Sequence, residues 1–243
     1  MADEIELDQF ADNLGLGPRE HIALVGGGGK TTLLHALGSQ LQGRVLMTTT
    51  TRMAADQDGG FPVVTPADDP VARCSNGPVL VWSKTESDKA YGVATSECDR
   101  WAGLVDYVIV EADGSRQRPF KAPTDFEPVV PATTTQLISV IGADALGRVI
   151  ADQCHRPLRV AALAGCSPYR RLSPANAATV LLHDRGARRA AAERTRFLTV
   201  VTKVDKSNQD LVAELISELQ SREADLLVIA IRSTPDATRG RPN

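Results

Sequence analysis

Ile22-Ala23-Leu24-Val25-Gly26-Gly27-Gly28-Gly29-Lys30-Thr31-Thr32-Leu33-Leu34-His35-Ala36-Leu37 reads as an apolar strand, a glycine loop and a helix in direct succession. Glycines let backbone N–H groups close on a polyanion, a helix N-terminus adds partial positive charge, and Lys30 adds a full one. Gly26, Gly27, Gly28, Gly29, Lys30, Thr31 and Thr32 are therefore candidate phosphate-binding residues, with the Thr31 hydroxyl where a phosphate loop holds magnesium. The common spacing is Gly, four residues, Gly-Lys-Ser/Thr. Counting back from Gly29 puts Leu24 at the first glycine, so this loop is shorter than the common form. A dinucleotide fingerprint fits less well, because Gly26 and Gly28 match its first two glycines but Thr31 stands at the third.

Outward from the loop, the strongest partner is Asp106-Tyr107-Val108-Ile109-Val110-Glu111, an apolar strand that closes on an acid and runs into Ala112-Asp113-Gly114-Ser115. A carboxylate there reaches magnesium or orients an attacking water, which nominates Glu111 for metal and catalysis, with Asp113 beside it. Arg44-Val45-Leu46-Met47 predicts a second strand that runs into four threonines, Thr48 to Thr51. Strand ends line the ligand crevice of parallel α/β sheets, so Thr49 and Thr50 are candidates for contact with a second substrate. The cations Arg116, Arg118 and Lys121, and the pair His155-Arg156, could neutralise a second anion; a solvated face is the competing reading. Late in the chain, Thr202-Lys203-Val204-Asp205 follows the strand Phe197–Val201 and has the form of a guanine-reading turn, which adds Thr202, Lys203 and Asp205 to the nucleotide-binding set.

The chain has 243 residues and a net charge of −3, so no basic bias points to nucleic acid. Hydrophobic residues make up 42% and aromatics only 4%, which predicts a sizeable aliphatic core. No apolar run approaches a membrane span, and the acidic start Met1-Ala2-Asp3-Glu4 is unlike a secretory leader; both predict a cytoplasmic protein. The four cysteines show no C-x-x-C spacing, which favours reduced, buried thiols over zinc. Strands alternating with helices, each strand nearly all apolar, predict a three-layer α/β/α domain of the P-loop NTPase-like kind with a mostly parallel sheet. The expected organisation is an N-terminal segment (1–20), one domain (21–232) with a peripheral or inserted region (53–105), and a loose tail (233–243).

Several further stretches join these in one series: Lys89 to Gly92, Lys121-Ala122-Pro123, Glu127-Pro128, Gly142-Ala143-Asp144 and His155-Arg156-Pro157. With the glycine loop, the threonine run, Val110–Ser115 and Thr202–Asp205, the series resembles the YqeC family over roughly residues 20 to 206. That family is described as accessory proteins of selenium-dependent hydroxylases. The resemblance implies nucleotide binding or hydrolysis, with Mg2+ and GTP or ATP, coupled to maturing a selenium-dependent molybdenum hydroxylase or its cofactor. Family members often carry Asn where this chain has Thr202, which weakens the guanine reading. Two alternatives use the same loop: a small-molecule kinase or nucleotidyltransferase, and a non-catalytic nucleotide-sensing module. Neither base identity nor oligomeric state is legible from the residues.

Overall fold

The long apolar runs become strands because a parallel sheet covered on both faces needs aliphatic, largely β-branched side chains on both. The computed structural model describes residues 4–233, so most of the stretch expected as a tail lies outside the described residues. In chain order the strands are β1 (Glu4–Ile5), β2 (Glu20–Gly26), β3 (Val45–Thr49), β4 (Arg52–Ala54), β5 (Val63–Val64), β6 (Val79–Val81), β7 (Lys84–Glu86), β8 (Lys89–Tyr91), β9 (Tyr107–Glu111), β10 (Phe120–Lys121), β11 (Gln136–Gly142), β12 (Cys154–His155), β13 (Arg196–Val204) and β14 (Val228–Arg232). The helices are α1 (Phe10–Asn13), α2 (Lys30–Gln40), α3 (Pro70–Arg73), α4 (Thr95–Ala102), α5 (Ile150–Gln153), α6 (Pro157–Ala164), α7 (Pro174–Leu182) and α8 (Gln209–Arg222).

Nine strands form one sheet in the order β1-β14-β13-β11-β2-β9-β3-β6-β5. Every pairing within it is parallel. Residues alternate across it: Ile22 and Leu24 of β2 pack with Leu33, Leu34 and Leu37 of α2, while Ala23 and Val25 pack on the other face with Cys98 and Trp101 of α4. Helices α6, α7 and α8 cover the β11–β13–β14 part of that second face through Val160, Val180, Leu181, Leu215 and Leu219. The result is a three-layer α/β/α fold.

The order places the site. After β2 the chain crosses to β3, and β9 returns to fill the gap between them; the chain then passes β2 to build β11, β13 and β14. A dinucleotide-binding sheet would instead set the strand after the glycine-loop helix directly beside the loop's strand. The crossovers diverge between β2 and β11, and ligands bind outside the carboxyl ends of strands at such a point. Residues 53–105, read as peripheral, supply two strands of the main sheet, β5 and β6, and the antiparallel β4-β8-β7 sheet. The N-terminal segment joins the sheet through β1 on β14, with Phe10 and Leu14 fully buried. No helix among the described residues is long and apolar enough to cross a membrane.

Candidate functional site

The first three glycines are fixed by protein rather than left open. A Cβ on Gly26 would meet the Val140 carbonyl oxygen at 2.3 Å, one on Gly27 the Arg118 carbonyl oxygen at 2.5 Å, and one on Gly28 the Gly142 nitrogen at 2.2 Å. Their N–H groups are also engaged. Gly26 donates to both carboxylate oxygens of Asp113 at 3.1 Å. Gly27 donates to the Val140 carbonyl at 2.9 Å and Gly28 to the Arg118 carbonyl at 3.2 Å. The Thr202 hydroxyl donates to the Gly28 carbonyl. The loop is thus packed against the end of β11 and the Arg118–Phe120 stretch. Beyond it, the N–H groups of Gly29, Lys30, Thr31 and Thr32 have no protein acceptor among the described residues, and they open the 11-residue helix α2. Gly29 (φ +114°) holds the left-handed turn into the helix, and a Cβ there would meet only the Thr202 side chain, in ordinary contact at 3.7 Å.

Charges of alternating sign lead inward from this helix end. Lys30 Nζ donates to the Gly26 carbonyl at 2.7 Å and lies 3.3 Å from Asp113 and 3.7 Å from Glu111. Lys121 Nζ lies 3.0 Å from the other Asp113 oxygen, 2.7 Å from the Gly114 carbonyl oxygen and 2.8 Å from Glu127. Arg156 grips Glu127 with two bonds, 2.7 and 2.9 Å. The short parallel pair β10–β12 brings these cations together, with Lys121 opposite His155. Lys30, Asp113 and Lys121 are all buried, as charges are when each has a counter-charge. Burial opposes ionisation of Glu127, but the bonds and charges of Arg156 and Lys121 outweigh it and hold its carboxyl down to about 2. Burial, with the cations Arg156, Lys121 and Arg116 nearby, pushes His155 down to about 4.

Glu111 is the acid nearest the open helix end. The Thr31 hydroxyl donates to its Oε2 at 2.9 Å, and burial raises its carboxyl above the usual range. Two hard oxygens, one hydroxyl and one carboxylate, suit Mg2+, which keeps waters and phosphate oxygens in its other positions. No group of three or more His, Cys, Asp or Glu side chains suited to a metal ion occurs among the described residues.

The other expected residues are distributed less simply. The threonine hydroxyls donate to backbone: Thr48 to Val81, Thr49 to Glu111 and Thr50 to Val129, each at 2.7 or 2.8 Å. Arg118 donates to the Asp152 carbonyl, and Arg116 is exposed at φ +51°. Lys203 pairs with Asp144 at 2.7 Å. Lys203 and Thr202 line a cavity of about 160 Å³ with Gly28, Gly29, Thr32 and Leu33, next to the unpartnered N–H groups. Asp205 instead lines a separate cleft, and its carboxylate accepts from the Ser207 N–H and hydroxyl at 2.7 and 2.6 Å. Sequence reading gave Glu127 no chemical role. The signal was the lysine within the apolar stretch Phe120-Lys121-Ala122, which on burial requires a carboxylate. The cysteines are free thiols, and burial raises Cys98 and Cys154 to about 12.

Comparison with known proteins covers this same ground. The YqeC protein family matches residues 22–158, from β2 to the start of α6, and so includes the glycine loop, Glu111, Asp113, Lys121, Glu127 and Arg156. A curated relative, the uncharacterized protein YqeC of Escherichia coli (strain K12), is 29% identical over 223 residues and covers 85% of each chain. No solved structure matches the chain. With more than half of its length matched, the chain belongs to the YqeC family.

Proposed function

We propose that the chain binds a nucleoside triphosphate, GTP or ATP, with Mg2+ at the N-terminus of α2, as an accessory factor in maturing a selenium-dependent molybdenum hydroxylase. The observation that carries the reading is the Thr31 hydroxyl on the Glu111 carboxylate at 2.9 Å, beside four helix-end N–H groups without protein acceptors and a buried lysine. The N–H groups of Gly29 to Thr32 orient the terminal phosphates, and Lys30 exchanges the Gly26 carbonyl for a phosphate oxygen. Thr31 and Glu111 are the residues that would hold Mg2+, which when bound supplies neutralising charge for the phosphates. Asp113 clamps the loop through the Gly26 N–H. The cavity beside Thr202 and Lys203 receives the nucleoside end.

A second reading, a nucleotide sensor with little turnover of its own, is favoured by the state of the two acids. A general base needs an acceptor oxygen within reach of the attacking water. Asp113 is engaged by Gly26, Lys30 and Lys121, while Glu111 gives Oε2 to Thr31 and turns Oε1 to Lys30 at 3.7 Å. A kinase with a second anion pocket has less support, because Lys121 and Arg156 are both held by Glu127.

The test is calorimetry with ATP, GTP and CTP in the presence of Mg2+, on wild type and on Lys30→Ala. Micromolar binding that is lost in the variant is expected; unchanged affinity in Lys30→Ala overturns the assignment. Phosphate release without a partner separates the hydrolytic reading from the sensing one.

A further inference from the structure

Asp113 stands between two lysines and is the only carboxylate they share among the described residues. Lys121 has no spare capacity: an ammonium group has three protons, and its three acceptors are Asp113, the Gly114 carbonyl and Glu127. Glu127 belongs to a segment of residues 122–130 that lies over the end of β9. The Val129 N–H donates to the Ala112 carbonyl at 2.9 Å, the Glu127 N–H to the Thr124 carbonyl at 3.2 Å, and the Thr50 hydroxyl to the Val129 carbonyl at 2.7 Å. The same segment carries Phe126, 90% exposed, and is tied at its other side by Arg159 to Asp125 at 2.6 Å.

We infer that occupation of the phosphate site is transmitted through Asp113, Lys121 and Glu127 to residues 122–130, which makes this segment nucleotide-responsive. The inference rests on the nucleotide reading above and adds its regulation. When Lys30 turns to a phosphate, Asp113 loses one of its two cations. In a buried setting the remaining pair, Asp113 and Lys121, tightens. Lys121 moves toward Asp113 and releases Glu127, which keeps only Arg156. The ties of residues 122–130 to β9 then open more often.

Amide hydrogen exchange on the full chain, with and without saturating MgATP or MgGTP, reads this directly. Exchange at Glu127 and Val129 should quicken by about threefold or more when nucleotide is added, while amides 29–32 slow. In Glu127→Gln, exchange at Val129 should already be fast without nucleotide and should not respond to it. The wild-type measurement is decisive even if that variant does not fold. Unchanged or slower exchange at Glu127 and Val129, with slowing at residues 29–32, overturns the coupling and leaves the nucleotide site standing. Absence of any nucleotide binding by calorimetry overturns both.

Discussion

Lys30 and Lys121 hold the same aspartate from opposite sides, but they are held differently in return. Lys30 opens α2 beside N–H groups without protein acceptors; its one short contact is a carbonyl oxygen at 2.7 Å, and its carboxylates lie at 3.3 and 3.7 Å. Lys121 sits in a two-residue strand with three acceptors at 2.7 to 3.0 Å and is buried. A cation with long ion pairs can exchange partners at little cost. One enclosed by short ones exchanges them at greater cost, because removing it breaks three short contacts at once and leaves the buried Asp113 with Lys30 and the half-buried Glu127 with Arg156. Under the proposed reading the first meets the ligand and the second holds the loop that presents it.

The largest expected effect tests that contrast. Lys121→Met should lower stability by about 3–5 kcal/mol, since three charge-assisted contacts are lost together while Asp113 keeps Lys30 and Glu127 keeps Arg156. Lys30→Met should cost about 1–2 kcal/mol, since Asp113 retains Lys121 and the Gly26 N–H. Denaturant unfolding of the two variants measures the difference, and equal losses would erase the distinction.

The loop glycines offer the same comparison at a slightly smaller scale. Gly28→Ala brings a side chain to φ +80° and against the Gly142 backbone at 2.2 Å, so a loss of about 3 kcal/mol is expected. Gly29→Ala, at φ +114° with its nearest neighbour 3.7 Å away, should cost about 1–2 kcal/mol, with its main effect on nucleotide affinity. Thermal unfolding beside calorimetry separates packing from binding. A larger stability loss at Gly29 would place the tight contact on the wrong side of the loop.

The far end of β2 gives a contrast in how titration acts. His21 is buried, with Nδ1 2.8 Å from the Thr133 hydroxyl and Nε2 without a partner among the described residues. Burial lowers its pKa to about 4, against a small opposing pull from Asp99. A depressed histidine favours the folded state fully above pH 6.5, and that contribution is lost as pH falls toward 4, because the unfolded chain takes up the proton first. Up to about 3 kcal/mol is at stake, and unfolding followed from pH 7 to 4 should show it as a slope that His21→Gln flattens. His155 titrates in the same window beside three cations but is less buried, so a smaller share is its own. Glu127 acts lower: its contribution is present above about pH 4.5 and is lost as pH falls through about 2.

What could be read from the sequence follows from range. Strand β2, the loop and α2 are contiguous, and β9, β11, β13 and β14 are apolar runs long enough to stand out, so the layers and the pairing of loop with Glu111 were legible. The Ser173 cap and Pro174 marked α7 for the same local reason. The clasp was not, because β10 and β12 have two residues each and no period, and the partners Lys121, Glu127 and Arg156 are joined only by the fold. The threonine run was legible only in part. Hydroxyls at a strand end look available for a ligand, but here neighbouring strands and the 122–130 segment present carbonyls that take them. Only the clash distances separate the glycines needed for packing from Gly29, whose nearest contact is an ordinary one.

The smallest expected effect concerns the base. A guanine-reading turn needs its aspartate and lysine on one ligand, yet Lys203 borders the cavity at Gly29 and Thr32 while Asp205 lines the cleft beyond it. Bonds from Ser207 hold the Asp205 carboxyl below its usual range and turned toward the start of α8. Both bonds fall on Oδ1, so only Oδ2 is left to meet a base, from the cleft on the far side of Lys203. The expected outcome is therefore that GTP and ATP bind within about threefold of each other, and that Asp205→Ala changes that ratio by less than about twofold. A preference for GTP above about tenfold that collapses in the variant would mean that Asp205 turns from its cleft to the ligand. The base-side edge would then rearrange on binding, as the proposal has Lys30 do, and mobile contacts would border the ligand at both ends.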